Sequence, residues 1–130
     1  MQTKPRPDIV TGLTVKVRSA FGSVYVTVNE NGHQEPFEVF LMVGKAGSDV
    51  AAFAEAIGRL CSLLLRVPSP IPEVERVRFI IKHLSGIGGS RDAGFGPNRV
   101  RSVPDAVSIA LKKYLECIGE KQGLPITSPV

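Results

Sequence analysis

The sequence contains no tryptophan and only two cysteines, Cys61 and Cys117. Two cysteines are too few for the set of disulfide bonds that stabilises small secreted domains. Each falls at an apolar position of a predicted helix, where a free cysteine behaves as a small hydrophobic residue. We therefore expect two reduced, buried thiols and a cytoplasmic protein.

The chain also lacks a long apolar run. Its most apolar stretch, residues 50–65, is interrupted by Glu55 and Arg59, whereas a helix that spans a bilayer needs about 20 predominantly apolar residues. Residues 1–8 include two prolines and have no apolar core of the kind that a signal peptide needs. The sequence thus predicts no membrane segment, and we interpret residues 1–11 as an extended N-terminal arm.

Metal ligands and catalytic groups are equally sparse. His33 and His83 have no cysteine or second histidine at the spacing of a zinc site. Glu30, Glu35 and Glu38 lie close together in the sequence of one predicted hairpin. They could form a pair of general acid and base, but such a cluster is more often a solvated strand edge. No nucleophile, base and orienting group stand at a sensible spacing. We expect neither a bound metal nor a catalytic activity of this chain by itself.

Positive charge is in modest excess. Sixteen basic residues against twelve acidic ones give a net charge of +4 and a pI near 9.3. Such a charge suits an acidic ligand or partner, but the basic residues are scattered along the chain and form no run. Nucleotide or phosphate is therefore a candidate ligand, while nucleic acid is not expected as a partner.

Hydrophobic periodicity predicts strands first and helices afterwards. Apolar residues alternate with polar ones in residues 13–18, and in residues 24–28 every second residue is valine. Residues 37–43 place Phe37, Val39, Leu41 and Val43 on one face and Glu38, Phe40 and Met42 on the other, and turn residues separate the three segments. They predict a three-stranded antiparallel meander. Two helices follow between residues 48 and 85, and a third begins after Ser102. The fold class is therefore α+β, with three helices packed on one face of the sheet.

Each helix has a predicted buried stripe. The first, with Ser48 or Asp49 as N-cap, is expected to bury Val50, Phe53, Ala54, Ile57, Leu60, Cys61, Leu64 and Leu65. The third, where Ser102 and Asp105 imitate a capping box, is expected to bury Val107, Ala110, Leu111, Tyr114, Leu115 and Ile118. We interpret residues 12–118 as the domain and residues 119–130 as a flexible tail.

Five glycines in residues 86–98 predict a loop before the third helix. The loop fails as a dinucleotide fingerprint because it follows a helix, and as a Walker loop because Phe95 replaces the lysine. It still leads into a helix N-terminus, which attracts anions, and so does the loop at residues 44–48. The candidate anion or partner contacts in the two loops are Lys45, Ser48, Arg91, Arg99 and Arg101. A purely structural loop is the alternative for both.

Several collinear segments together resemble the TSCPD domain. They are residues 12–17, 24–30, 36–40, 43–47, 55–60, 84–90 and 101–106. That domain occurs at the C-terminal end of adenosylcobalamin-dependent ribonucleotide reductases and also as short separate proteins. The resemblance covers residues 12–116. It implies a non-catalytic accessory domain or small subunit for deoxyribonucleotide synthesis, with the reductase catalytic subunit as its partner.

The resemblance also implies what the chain lacks. Family members carry cysteines at the positions of Phe21, Asp49, Gly89 and Val103, and the joint absence of all four implies loss of a metal or thiol cluster as a unit. The cobalamin site, the radical-generating cysteine and the substrate pocket of the reductases belong to their large catalytic barrel. Adenosylcobalamin is therefore expected only in the catalytic partner.

One alternative of a different class stays open. The chain can instead be a free-standing regulatory module that binds a nucleotide or phosphate through its two glycine-containing loops, Gly44–Ser48 and the loop at residues 86–98. Under either hypothesis a homo-oligomer is compatible with the sequence, and no membrane association is expected.

Overall fold

Residues 2–32 and 35–121 are described in the computed structural model of the protein. The sheet is an antiparallel meander of three strands in the order β1 (Thr11–Ser19), β2 (Gly22–Glu30) and β3 (Pro36–Met42). Three helices follow, α1 (Asp49–Arg66), α2 (Glu73–Leu84) and α3 (Val103–Lys121), and a single 3-10 turn at Gly96–Asn98 precedes the last of them. The predicted α+β class is confirmed.

The register of the sheet separates an inner face from an outer one. Val26 of β2 stands between Val15 of β1 and Leu41 of β3, and this row faces the helices. The inner valines of β2 are fully buried, and α3 packs on β1 and β2. The neighbouring row of Tyr25 and Met42 lies on the outer face and is exposed. The alternation of residues along the strands thus corresponds to a buried inner face and a largely solvent-exposed outer face.

Helix α1 packs along the edge of β3. The hydroxyl of Ser62 donates to the carbonyl oxygen of Val39 at 3.1 Å and accepts from its N–H at 3.0 Å. Gly58 approaches so closely that a Cβ at this position would stand 3.2 Å from the same carbonyl oxygen. The helix therefore satisfies backbone groups that an edge strand otherwise leaves open.

The N-terminal arm is attached to the domain by specific bonds. The backbone N–H of Lys4 donates to the carbonyl of Arg66 at 3.1 Å, and the Lys4 ammonium contacts Glu73 at 3.0 Å. Further along, Arg6 pairs with Glu38 at 3.0 Å and covers it on the outer face of the sheet. Glu38 is only 3% exposed as a result, so the prediction of a solvated strand edge is wrong for this residue.

Helix α1 does not bury the whole stripe that its sequence predicts. Phe53, Leu60 and Leu64 are exposed, and the buried residues of the helix are Ala54, Gly58, Cys61 and Leu65. The prediction fails because α1 is apolar on two sides, and periodicity cannot tell which side the rest of the domain covers.

Helix α3 has the buried face that its sequence predicts. Its six expected core residues, from Val107 to Ile118, are all buried. Cys117 is exposed, however, so the prediction that both thiols are buried holds only for Cys61. The helix includes residues 119–121, which the sequence assigns to the tail, while residues 122–130 and the predicted turn histidine His33 lie outside the described residues. Within the described part of the chain, no helix is both long and apolar enough to cross a membrane.

Candidate functional site

Both glycine-containing loops lie at one end of the sheet. Tyr25, near the start of β2, pairs with Met42 at the end of β3, so the chain leaves β3 at the end that carries the β1–β2 turn. The second loop reaches this turn, because the guanidinium carbon of Arg91 stands 4.7 Å from the centroid of the Phe21 ring. We call this region, residues 20–21, 44–48 and 86–102, the loop end of the sheet.

Asp105 attaches residues 86–101, which we call the glycine loop, to α3. Its carboxylate accepts hydrogen bonds from the backbone N–H of Gly86 at 2.8 Å and of Arg101 at 2.9 Å. Ser102 acts as the N-cap, since its hydroxyl accepts from the Asp105 N–H at 3.1 Å and donates to the Ile87 carbonyl at 2.6 Å. The cap predicted at Ser102 is thus present. In addition, the Asp105 carboxylate binds backbone groups at both ends of the loop.

The outer part of the glycine loop is a small hairpin. Ala93 and Val100 exchange two backbone hydrogen bonds, at 2.9 and 2.7 Å. Gly94 has a φ of +78°, and a Cβ there would lie 2.6 Å from the carbonyl oxygen of Asn98. Only glycine fits both conditions. The loop is therefore held in one shape by its own backbone bonds.

Phe95 stands at the tip of this hairpin and is 91% exposed. Its ring, flanked by Gly94 and Gly96, contributes nothing to the core. Aromatic residues are enriched at the contact surfaces between proteins, so Phe95 is a candidate contact residue. Phe95 is not among the contact residues predicted from the sequence, where it appears only as the residue that replaces a Walker lysine. The signal that was available is a phenylalanine between two glycines, outside any periodic segment.

The three arginines of the glycine loop differ in their surroundings. The Nε of Arg99 donates to the carboxylate of Asp92 at 2.6 Å, which largely neutralises its charge. Arg91 lies over the ring of Phe21, in a cation–π contact. The side chain of Arg101 forms no hydrogen bond or ion pair with the described residues. Arg91 and Arg101 therefore keep their charge for a partner or ligand.

The other predicted contacts, Lys45 and Ser48, lie in the loop before α1. The Ser48 hydroxyl accepts a hydrogen bond from the Ala51 N–H at 3.1 Å. Of the two residues predicted as the N-cap of α1, it is therefore Ser48 that caps the helix. Its acceptor is thus already engaged by the helix. Lys45 is exposed and has no side-chain partner in the described part of the chain. Of this pair, only Lys45 offers a free charged group.

The four positions at which the resemblance implies cysteines lie in the loop end or directly beside it. Phe21 lies beneath Arg91, while Gly89 donates its N–H to the Arg101 carbonyl at 3.1 Å and lies next to the start of α3, where Val103 is buried. Asp49 is the first residue of α1. Among residues 2–32 and 35–121, no group of three or more histidine, cysteine or acidic side chains is placed to hold a metal ion.

The acidic residues near the β2–β3 hairpin do not form an acid and base pair. Each is bound to a different side chain: Glu30 accepts from Tyr114 at 3.1 Å, Glu35 from Asn31 at 2.9 Å, and Glu38 from Arg6 at 3.0 Å. These carboxylates are therefore structural acceptors that connect the hairpin to α3 and to the N-terminal arm.

A groove of about 790 Å³ runs between β3 and α1, away from the glycine loop. Apolar side chains such as Phe40 and Leu63 make up much of its wall. Its two carboxylates are already ion-paired, Glu38 with Arg6 and Glu55 with an arginine one helical turn away. The groove therefore has the chemistry of an apolar contact surface, and its carboxylates are not free to serve a reaction.

Comparison with known proteins gives one match. The family model of the TSCPD domain matches residues 1–115, which include the whole sheet, both glycine-containing loops and most of α3. No curated protein and no solved structure matches the chain. The TSCPD domain is associated with ribonucleotide reductases. The extent of the match shows that this chain belongs to the TSCPD domain family.

Proposed function

We propose that the chain is a non-catalytic accessory domain or small subunit of an adenosylcobalamin-dependent ribonucleotide reductase. In this proposal it binds the catalytic subunit through the glycine loop and brings no chemistry of its own. Adenosylcobalamin, the radical-generating cysteine and the substrate pocket belong to the catalytic subunit. Family membership supports the link to ribonucleotide reductases, and one structural observation supports the mode of contact.

That observation is the exposed ring of Phe95 on an ordered hairpin. An aromatic side chain on a rigid support loses little conformational entropy when it enters a pocket on a partner. Arginines beside such an anchor add bidentate hydrogen bonds to carboxylates, and the uncompensated charges of Arg91 and Arg101 support this role. Aromatic and arginine side chains are also the commonest residues at binding hot spots. The glycine loop thus has the composition of a protein-binding loop.

A regulatory module that binds a free nucleotide or phosphate is the competing hypothesis. The N-termini of α1 and α3 at the loop end favour it, since helix N-termini attract anions. Each of these N-termini already carries a negative charge, however. Asp49 lies in the first turn of α1 and Asp105 in the first turn of α3, and the hydroxyls of Ser48 and Ser102 each take one N–H of the first turn. A phosphate at either place would be repelled by a carboxylate of the same sign, so we favour the protein partner.

Titration calorimetry against the catalytic subunit tests the proposal. We expect Phe95→Ala to weaken binding by at least about 10-fold, because anchor residues at interfaces cost more than about 1.4 kcal/mol when truncated. The triple variant Arg91→Ala, Arg99→Ala, Arg101→Ala should also weaken it. Phe79→Ala, which truncates an exposed phenylalanine on α2, is the matched control and should bind normally.

The same variants separate the two hypotheses. Wild type titrated with nucleoside diphosphates and triphosphates, in the absence of any reductase, should give no binding. Nucleotide binding that the triple variant abolishes would establish the regulatory module instead. If both the Phe95 variant and the triple variant bind the catalytic subunit with unchanged affinity, the glycine loop is not part of the interface.

A further inference from the structure

The outer face of the sheet carries two aromatic side chains that are open to solvent. Tyr25 of β2 is 41% exposed and Phe40 of β3 is 52% exposed. Tyr25 stands opposite Met42, and Phe40 lies two residues before Met42 on the same strand, so the two rings are diagonal neighbours on adjacent strands. Diagonal neighbours in a sheet are about 7–8 Å apart. Two flat apolar surfaces therefore lie side by side on this face.

Two cations lie along the β1 margin of the same face. Lys16 stands opposite Tyr25, and Arg18 is the next residue of β1 that points outward. Both side chains are exposed, and neither forms a hydrogen bond or an ion pair with the described residues. Residues two apart on a strand are separated by about 7 Å, which is close to the spacing of successive phosphates in an extended single strand of nucleic acid. The two charges therefore have the spacing of a phosphate backbone.

No exposed carboxylate stands on the outer face of the described strands. Glu38 is the only acidic residue among the strand residues that point outward. Its carboxylate accepts hydrogen bonds from Arg6 at 3.0 Å and from the side-chain amide of Asn29 at 2.8 Å, and the residue is buried. An anionic ligand over Lys16 and Arg18 therefore meets no open carboxylate of the sheet.

We propose that the outer face of the sheet binds a single-stranded nucleic acid, with its phosphates along Lys16 and Arg18 and two successive bases stacked on Tyr25 and Phe40. A line of cations for the phosphates and aromatic rings for the bases are the two components of sites for single strands. The sequence contains no basic run, so nucleic acid is not expected from it. The strand register, however, brings these four residues from three segments onto one face.

The division of the face favours a nucleic acid over an acidic protein. A single strand carries its charge along one margin and its flat bases along the other. The face has the same division, since the cations are on β1 and the rings are on β2 and β3. The rings also require unpaired bases, because the bases of a duplex are stacked inside it. A mononucleotide has one base and can use only one of the two rings.

This site is separate from the glycine loop. The two surfaces share no residue, so each can be altered without the other. The inference does not depend on the reductase proposal, because it rests on the exposure, charge and register of residues in the sheet.

Fluorescence anisotropy of the full chain with labelled oligo(dT) and oligo(U) of about 12 nucleotides tests the proposal. We expect saturable binding, and the comparison of the two oligonucleotides shows whether DNA or RNA is preferred. Because two phosphates are neutralised, the logarithm of the association constant should fall with the logarithm of salt concentration with a slope of about −1.4. A duplex of the same length and a mononucleotide should bind much more weakly.

Variants of the aromatic residues test the stacking. Tyr25→Ala and Phe40→Ala should each raise the dissociation constant about 10-fold, because each removes the surface on which one base stacks. Tyr25→Phe keeps the ring and should bind like wild type. Phe79→Ala truncates an exposed phenylalanine on α2 and should leave the affinity unchanged.

Variants of the basic residues test the phosphate contacts. The double variant Lys16→Ala, Arg18→Ala should bring the salt slope close to zero, since both contacts are lost. The control is the double variant Lys82→Ala, Lys112→Ala, which removes the same charge from exposed positions on α2 and α3. It should keep a slope of about −1.4. Circular dichroism checks that the variants remain folded, as we expect for exposed side chains.

Three results would overturn the proposal. The first is no saturable binding of either oligonucleotide at millimolar protein concentration. The second is binding that Tyr25→Ala and Phe40→Ala leave unchanged. The third is competition by polyglutamate that equals competition by an unlabelled oligonucleotide of the same charge, which would assign the face to an acidic protein.

Discussion

The carboxylate of Asp105 accepts a hydrogen bond from the backbone N–H of Gly86, 19 residues earlier in the chain, at 2.8 Å. The same carboxylate binds the N–H of Arg101 and is only 4% exposed. One acidic side chain thus joins the beginning and the end of the glycine loop at the start of α3. The position of the Phe95 hairpin relative to the domain depends on this connection.

Removal of the Asp105 carboxylate should destabilise the domain. Asp105→Ala leaves two backbone N–H groups without their acceptor, and we expect a loss of about 2–4 kcal/mol in the free energy of unfolding. Urea unfolding followed by circular dichroism measures it. The control is Asp92→Ala, which breaks only the exposed pair with Arg99 and should cost less than about 1 kcal/mol. Equal losses in the two variants would contradict the role given to Asp105.

Arg76 connects the end of α1 to α2 through its guanidinium group. This group is buried and donates hydrogen bonds to the carbonyl oxygens of Leu64, Leu65, Val67, Ser69 and Ile71, at 2.8–3.2 Å. The last carbonyls of a helix have no partner within the helix, so Arg76 satisfies groups that burial would otherwise penalise.

Arg76→Met should therefore lower the free energy of unfolding by about 3 kcal/mol or more, because several buried carbonyls lose their donor at once. Arg76→Lys should recover part of this loss, since it keeps the charge but not the planar fork. Urea unfolding of the two variants is compared with that of Arg18→Met, an exposed residue, for which we expect a change within about 0.5 kcal/mol. An Arg76→Met variant as stable as Arg18→Met would refute this account.

The sequence predicts those parts of the fold that depend on local pattern. The alternation in residues 13–18, 24–28 and 37–43 identifies all three strands, and the stripe from Val107 to Ile118 identifies the buried face of α3. These predictions are correct because a period of two indicates a strand whichever face is buried, and because α3 is apolar on one side only. Helix α1 is apolar on two sides, and the sequence carries no information about which of them the domain covers.

The candidate site is less predictable because it depends on contacts between distant residues. The capping motif at Ser102 is local, so the sequence predicts it, but the bond from Asp105 to Gly86 exists only after the loop has closed. Phe95 becomes a candidate contact only when the pairing of Ala93 with Val100 places it at a hairpin tip. Likewise, the arginines differ in availability only because Asp92 neutralises one of them.

The two cysteines should differ in reactivity. Cys61 is buried, and burial raises the pKa of its thiol to about 11, whereas Cys117 is exposed. Only the thiolate reacts with disulfide reagents, so native protein at pH 8 should show one fast thiol per chain and a second that reacts after unfolding. Cys117→Ser should abolish the fast phase. Two equally fast thiols in the native protein would contradict the burial of Cys61.

The hydroxyl of Tyr114 donates a hydrogen bond to the Glu30 carboxylate at 3.1 Å and joins α3 to the end of β2. Burial of the ring raises the pKa of Tyr114, and the negative charge of Glu30 and the hydrogen bond to it raise this pKa further. A tyrosine in the unfolded chain has a pKa of about 10. Between that value and the raised native pKa, the unfolded state ionises and the native state does not.

This difference predicts how stability changes at high pH. Below about pH 10 the tyrosine is neutral in both states and its contribution is constant, whereas above it the free energy of unfolding should fall by up to about 1.4 kcal/mol per pH unit. Urea unfolding between about pH 8 and 11.5, in wild type and Tyr114→Phe, isolates the effect because other groups titrate alike in both. At pH 8 the phenylalanine variant should be less stable than wild type, since Glu30 loses its donor. The difference between their free energies of unfolding should become smaller as pH rises. If this difference stays constant across the pH range, Tyr114 ionises as readily in the folded protein as in the unfolded one.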